Sequence, residues 1–152
     1  MFYTISFQLS FIVISPITPW RNHVTSKSTI MVVDDEPDLL NLTKKFLESE
    51  GYEVHAFGDP EAAIQHVKQG CTSCTIVVSD IRMPGISGFE LVRQLKELLP
   101  ETRVVLMSSF VIHKPEFEKV MPSLDVDEFV MKPFTKAELV DAIKNVARQT
   151  TA

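Results

Sequence analysis

The sequence predicts an α/β fold, a doubly wound parallel sheet of five strands with a helix after each. Three observations predict it. Short apolar runs near residues 30, 54, 76, 105 and 130 read as strands, most of them unbroken, as strands covered on both faces are. Segments between them carry apolar residues at helical spacing. A polar residue with chemical potential stands at the end of four runs: Asp34, Asp80, Ser108 and Lys132. Strands alternating with helices imply right-handed crossovers with helices on both faces of the sheet.

The elements follow in order. Ile30-Met31-Val32-Val33 is the first strand, stopped by Asp34-Asp35-Glu36. Pro37 then suits a first helical position, Leu39, Leu40, Phe46 and Leu47 recur at helical spacing, and Gly51 supplies a stop. Residues 52–57 form a second, weaker strand. Asp59-Pro60 is an N-cap followed by proline, and Ala63, Ile64 and Val67 make a stripe that ends at Gly70. Thr75-Ile76-Val77-Val78 is the third strand, ending at Asp80, and residues 83–88 are a Gly/Pro loop. Phe89, Val92, Leu95 and Leu99 define a third helix that closes before Pro100. Val104-Val105-Leu106-Met107 ends in Ser108-Ser109. Residues 113–123, with Pro115 and Pro122, read as one short fourth helix. Phe129-Val130-Met131 leads into Lys132-Pro133, and Thr135 caps a last helix bearing Leu139, Ala142, Ile143 and Val146.

The 152 residues suit one domain, 45% hydrophobic and 23% charged with a net charge of −5. All the acids lie beyond Ser28, so the body is more acidic than the whole, which argues against gripping nucleic acid directly. No apolar stretch approaches the ~18 residues of a membrane span, and a cytoplasmic location is expected. Residues 1–28 differ: no charge precedes Arg21, and apolar residues alternate from Tyr3 to Val13. They read as a dispensable extension and linker that would be aggregation-prone if exposed, with a membrane-surface or partner tether as the other reading. Two cysteines make no disulfide framework. Cys71-Thr72-Ser73-Cys74 has C-x-x-C spacing but no second pair, so its thiols read as incidental. His23, His55, His66 and His113 are scattered without ligand spacing.

In doubly wound sheets ligands gather beyond the carboxyl ends of the strands, where strand order reverses. Asp34, Asp35, Asp80, Ser108 and Lys132 should therefore share one rim. Crowded carboxylates repel by about 4 kcal/mol per pair at 4 Å and an effective dielectric near 20. Such a cluster calls for a proton or a cation, and oxygen donors suit Mg²⁺. Mg²⁺ shares its shell readily with phosphoryl oxygens, so the rim reads as a phosphoryl-transfer site. Asp80, at a strand end before a Gly/Pro loop, is the nucleophile candidate. Lys132 can supply positive charge and Ser108 a hydrogen bond.

Together, Val32-Val33-Asp34-Asp35-Glu36-Pro37, Ser79-Asp80-Ile81-Arg82-Met83-Pro84-Gly85, Met107-Ser108-Ser109 and Phe129-Val130-Met131-Lys132-Pro133-Phe134 resemble the receiver domains of two-component response regulators. These are flavodoxin-like (βα)5 domains of the chemotaxis-regulator type. The resemblance spans 29–149. It implies that Asp80 accepts phosphate from a sensor histidine kinase or phosphotransfer protein. It implies that Asp34, Asp35, Asp80 and the Arg82 carbonyl hold Mg²⁺, and that Ser108 and Phe129 form the switch. Lys132 takes the lysine position, followed by a cis-proline at Pro133. It further implies a signalling domain rather than an enzyme, acting on a downstream effector or through a homodimer by the face of the fourth helix, fifth strand and fifth helix. No attached output domain is expected. Two other readings are weighed: a haloacid-dehalogenase-type phosphatase, whose second Asp is here replaced by Arg82, and a phosphorylation-independent scaffold.

Overall fold

Unbroken apolar runs become strands where helices cover both faces of the sheet. The computed structural model describes residues 28–149. They contain β1 (Thr29–Val33), α1 (Pro37–Ser49), β2 (Glu53–Phe57), α2 (Pro60–Lys68), β3 (Cys74–Asp80), α3 (Gly88–Leu98), β4 (Arg103–Ser108), α4 (Lys114–Val120), β5 (Glu128–Met131) and α5 (Lys136–Arg148). All ladders are parallel, and the spatial order is β2-β1-β3-β4-β5. Apart from Ser28, the extension read from residues 1–28 lies outside the described residues.

Alternate side chains of each central strand go to opposite faces. Ile30, Val32, Ile76, Val78, Val105 and Met107 pack with Leu47 of α1 and Leu139, Ile143 and Val146 of α5. Met31, Val33 and Val77 meet Ala63, Ile64 and Val67 of α2 and Leu91 and Leu95 of α3. Val104 and Leu106 continue that second face beneath Val92, Leu124 and Val126. Each large aliphatic side chain buried this way contributes roughly 1.5–3 kcal/mol of transfer free energy.

The helix starts are set locally. Asp59 accepts a hydrogen bond from Glu61 N–H and Ser87 from Glu90 N–H, while Thr135 and Glu138 form a reciprocal capping box. Gly51 (φ 95°) and Gly70 (φ 109°) take the left-handed conformation that lets the chain leave α1 and α2. The fourth helix is shorter than its sequence suggests. It spans seven residues, has no buried side chain and stops before Pro122. The stripe of α3 also differs: Leu91 joins Val92 and Leu95 in the core, while Phe89 and Leu99 are half-buried.

Candidate functional site

Strand order reverses between β1 and β3, whose neighbours lie on opposite sides. Asp34 follows directly on β1 and Asp80 is the last residue of β3. The parallel register carries the other two ends to the same rim: Asp80 lies opposite Met107, and Ser108 opposite Met131. Lys132 is then fixed by its backbone, because its N–H donates to the Ser108 carbonyl at 2.7 Å. Its peptide bond to Pro133 is cis.

The side chain of Lys132 reaches back across this rim. Its Nζ donates to Asp34 Oδ2 at 3.1 Å and lies 3.2 Å from Asp80 Oδ1 and 3.6 Å from Glu36 Oε1. Asp34 is fully buried and Asp80 nearly so. The other oxygen of Asp34 accepts the Glu36 N–H at 2.9 Å. Burial pushes the Asp34 carboxyl above its ordinary range, and the hydrogen bonds from Glu36 and Lys132 only partly offset this. Burial opposes the charge on Lys132, yet hydrogen bonding and attraction from Asp34 and Asp80 prevail and raise its pKa.

Asp35, Glu36, Asp80, Ile81, Arg82, Ser108, Ser109, Phe110 and Lys132 line one cleft of about 230 Å³. Every residue that the sequence placed on the rim is therefore in or beside it. One carboxylate oxygen from each of Asp34, Glu36 and Asp80 lies within 4.8 Å of the other two. Glu36 was not singled out from the sequence, because a third acid before a helix reads as favourable charge at its N-terminus. Asp35 lines the same cleft, half-buried, without joining that cluster. The donor set is made only of oxygen and sits at a topological switch point, so it fits a hard divalent cation.

The remaining residues bracket the cleft. Ser108 is buried and its Oγ accepts the Phe110 N–H at 3.0 Å. The Arg82 guanidinium stacks over the Phe110 ring, 4.6 Å from its centroid. Phe129 is half-buried and packs edge-on against Phe117, with centroids 5.0 Å apart, and Phe117 stacks on Phe89 at 5.6 Å. The sequence singled out neither Phe110 nor Phe117 for this region. Nothing in a sequence pattern distinguishes an aromatic that closes a cleft from one in a loop.

Comparison with known proteins agrees with this fold. The family model for the response regulator receiver domain matches residues 30–144. The regulatory protein VanRc of Enterococcus gallinarum is 31% identical over 121 residues, covering 79% of this chain and 50% of that protein. The chain thus spans about half the length of the curated relatives it matches. A receiver domain structure from Clostridium thermocellum is 26% identical with a TM-score of 0.70, covering 82% of this chain and 97% of that one. The response regulator TrrA from Thermotoga maritima, solved in complex with Mg²⁺-BeF, is 30% identical with a TM-score of 0.66, covering 78% and 98%. No helix among the described residues is long and apolar enough to cross a membrane.

Proposed function

The chain belongs to the response regulator receiver domain family, and on that premise we propose that it is a Mg²⁺-dependent phosphoryl acceptor, modified at Asp80 by a histidine kinase or phosphotransfer protein. The observation that carries this is Lys132 Nζ, held 3.2 Å from Asp80 and 3.1 Å from Asp34 at the switch point of the sheet. An Asp80 oxygen attacks the phosphorus of a phosphohistidine; a P–O bond forms, the P–N bond breaks, and the imidazole leaves with a proton. Lys132 offers a compact charge to the phosphoryl oxygens as it gives up part of its hold on the carboxylate. Ser108 already accepts from Phe110 N–H, and its own hydroxyl proton is available to a phosphoryl oxygen. Mg²⁺, held by Asp34, Asp35, Asp80 and the Arg82 carbonyl, with Glu36 at hand, would neutralise the acids and the incoming phosphate.

Signalling follows as a population shift. Drawing Ser108 toward the phosphate loosens its hold on the Phe110 N–H and frees room for Phe129 to turn inward from Phe117. Contacts of α4, β5 and α5 then change. Val120 and Met131, 81% and 54% exposed, support this face as the one read by an effector or a second copy. The acidic body supports protein contact over direct contact with nucleic acid.

Incubation of the chain with acetyl phosphate and Mg²⁺ should add the mass of one phosphoryl group, and Asp80→Asn should remove that increment. Equal modification of wild type and Asp80→Asn would overturn the assignment of Asp80. Rapid turnover of small phosphate esters would instead identify a phosphatase.

A further inference from the structure

Two residues of the sequence's solitary C-x-x-C and two of its scattered histidines meet in one place. His55 lies on β2, His66 on α2, and Cys71 and Cys74 flank the turn into β3. One ligand atom from each falls within 4.8 Å of all the others. Cys71 Sγ is 3.5 Å from Cys74 Sγ, and His55 Nδ1 is 3.9 Å and 3.6 Å from those two sulfurs and 2.9 Å from His66 Nε2. We propose that His55, His66, Cys71 and Cys74 form a structural Zn²⁺ site on the α2 face of the sheet.

His55 Nδ1 has either one proton or one lone pair, in the ring plane, and so cannot satisfy His66, Cys71 and Cys74 together by hydrogen bonding. A cation between the four atoms takes a lone pair from each. With bonds of about 2.3 Å to sulfur and 2.0 Å to nitrogen, a tetrahedral site has edges of roughly 3.8 Å for S–S, 3.5 Å for S–N and 3.3 Å for N–N. The four distances above lie within about 0.4 Å of those values. Two thiolates and two imidazoles select zinc over magnesium or calcium. The second nitrogen of His55, Nε2, faces Glu53 Oε1 at 3.2 Å, the outer carboxylate that orients a metal-bound histidine.

All four positions are supplied by the protein, so the site is closed and structural rather than catalytic. Cys74 is buried, while Cys71 and both histidines are half-buried, which leaves a route for the ion. The site is also separate from the acidic rim: Cys74 and Asp80 stand at opposite ends of β3, six residue steps or about 20 Å apart. Its effect is to clasp the end of α2 and the turn after it to the edge strand β2.

The test uses the full chain, reduced, stripped with chelator and titrated with Zn²⁺ or Co²⁺ in excess Mg²⁺. One metal per chain should bind. Cobalt should give the visible bands of a tetrahedral ion and a thiolate-to-metal charge-transfer band, both bleached by zinc. Glu53→Gln should weaken binding about 10- to 100-fold and Cys71→Ser more, whereas Asp80→Asn should bind like wild type. Three results would overturn the site: no stoichiometric uptake by the reduced chain, bound cobalt without a charge-transfer band, or equal uptake by Cys71→Ser. Ready formation of a Cys71–Cys74 disulfide by a chain that takes up no zinc would assign the pair to redox chemistry.

Discussion

Replacing Lys132 by Met tests the rim most directly. The substitution keeps an unbranched side chain, one atom shorter, and removes an ammonium that lies 3.1 Å from Asp34, 3.2 Å from Asp80 and 3.6 Å from Glu36. At an effective dielectric near 20 each close pair is worth about 5 kcal/mol of attraction, largely offset by the desolvation of both partners. The net cost arises because Asp34, with no exposed surface, and Asp80 are left facing each other with no counter-charge. Removing one partner of a buried pair costs roughly 3–5 kcal/mol, and that loss is expected at pH 7 in chelator. The pH dependence carries a definite sign. The Asp34 pKa is already raised in the fold above its ordinary value of 3.8, and losing Lys132 raises it further. The folded variant then binds more protons than the unfolded chain, so its stability falls as pH rises through the window between 3.8 and the raised folded value. In the wild type, the contribution of Lys132, whose own pKa is raised, persists from low pH and is lost only as pH climbs through its folded value. Urea titrations followed by far-UV circular dichroism at pH 7 and pH 5 measure both effects. The gap between the two proteins should shrink at the lower pH, and on adding Mg²⁺ at pH 7. A variant within about 1 kcal/mol of wild type at both pH values would refute the crowding of these carboxylates.

Two further outcomes follow from the structure. A Cβ on Gly88 would clash with the Asp80 carbonyl oxygen and stand 2.9 Å from Ile81 Cα, both backbone atoms. Gly88→Ala should cost about 1–3 kcal/mol in urea unfolding and slow phosphoryl incorporation at Asp80; unchanged values for both would show that the loop can yield. Glu138 has its pKa lowered by hydrogen bonds from Thr135, so its contribution is complete above the ordinary value of 4.5 and is lost as pH falls through the folded value. Glu138→Gln should therefore lower the Tm at pH 7 and converge with wild type in acid, and a pH-independent difference would contradict the capping box.

Much of this was legible in the sequence because the signals there are local. A covered strand must be apolar at every position, and a proline after three acids marks a helix start, so β1, α1 and β3 could be read from a few residues each. The rim was legible at one remove: once the strands were placed, their ends had to coincide, and Asp34, Asp80, Ser108 and Lys132 came with them. What stayed hidden depends on spatial neighbours distant in sequence. Asp127 is buried because it accepts from Val104 N–H and Arg103, and nothing about an acid ahead of a strand announces that. His55 and His66 read as scattered because they stand eleven positions apart in sequence, whereas their rings meet edge-on with centroids 4.8 Å apart. Linear spacing finds ligands on one helix or one turn, and is blind to those brought together by a sheet edge and the helix above it.

The brevity of α4 has a further consequence. Two turns of helix are too few to persist on their own in water, and this helix buries no side chain of its own, leaning on the half-buried ring of Phe117. Its amides should exchange with deuterium by local opening, well before the sheet lets go. A segment that comes apart so cheaply can be reshaped by a small chemical input, while the buried strand that carries Asp80 stays rigid enough to receive it.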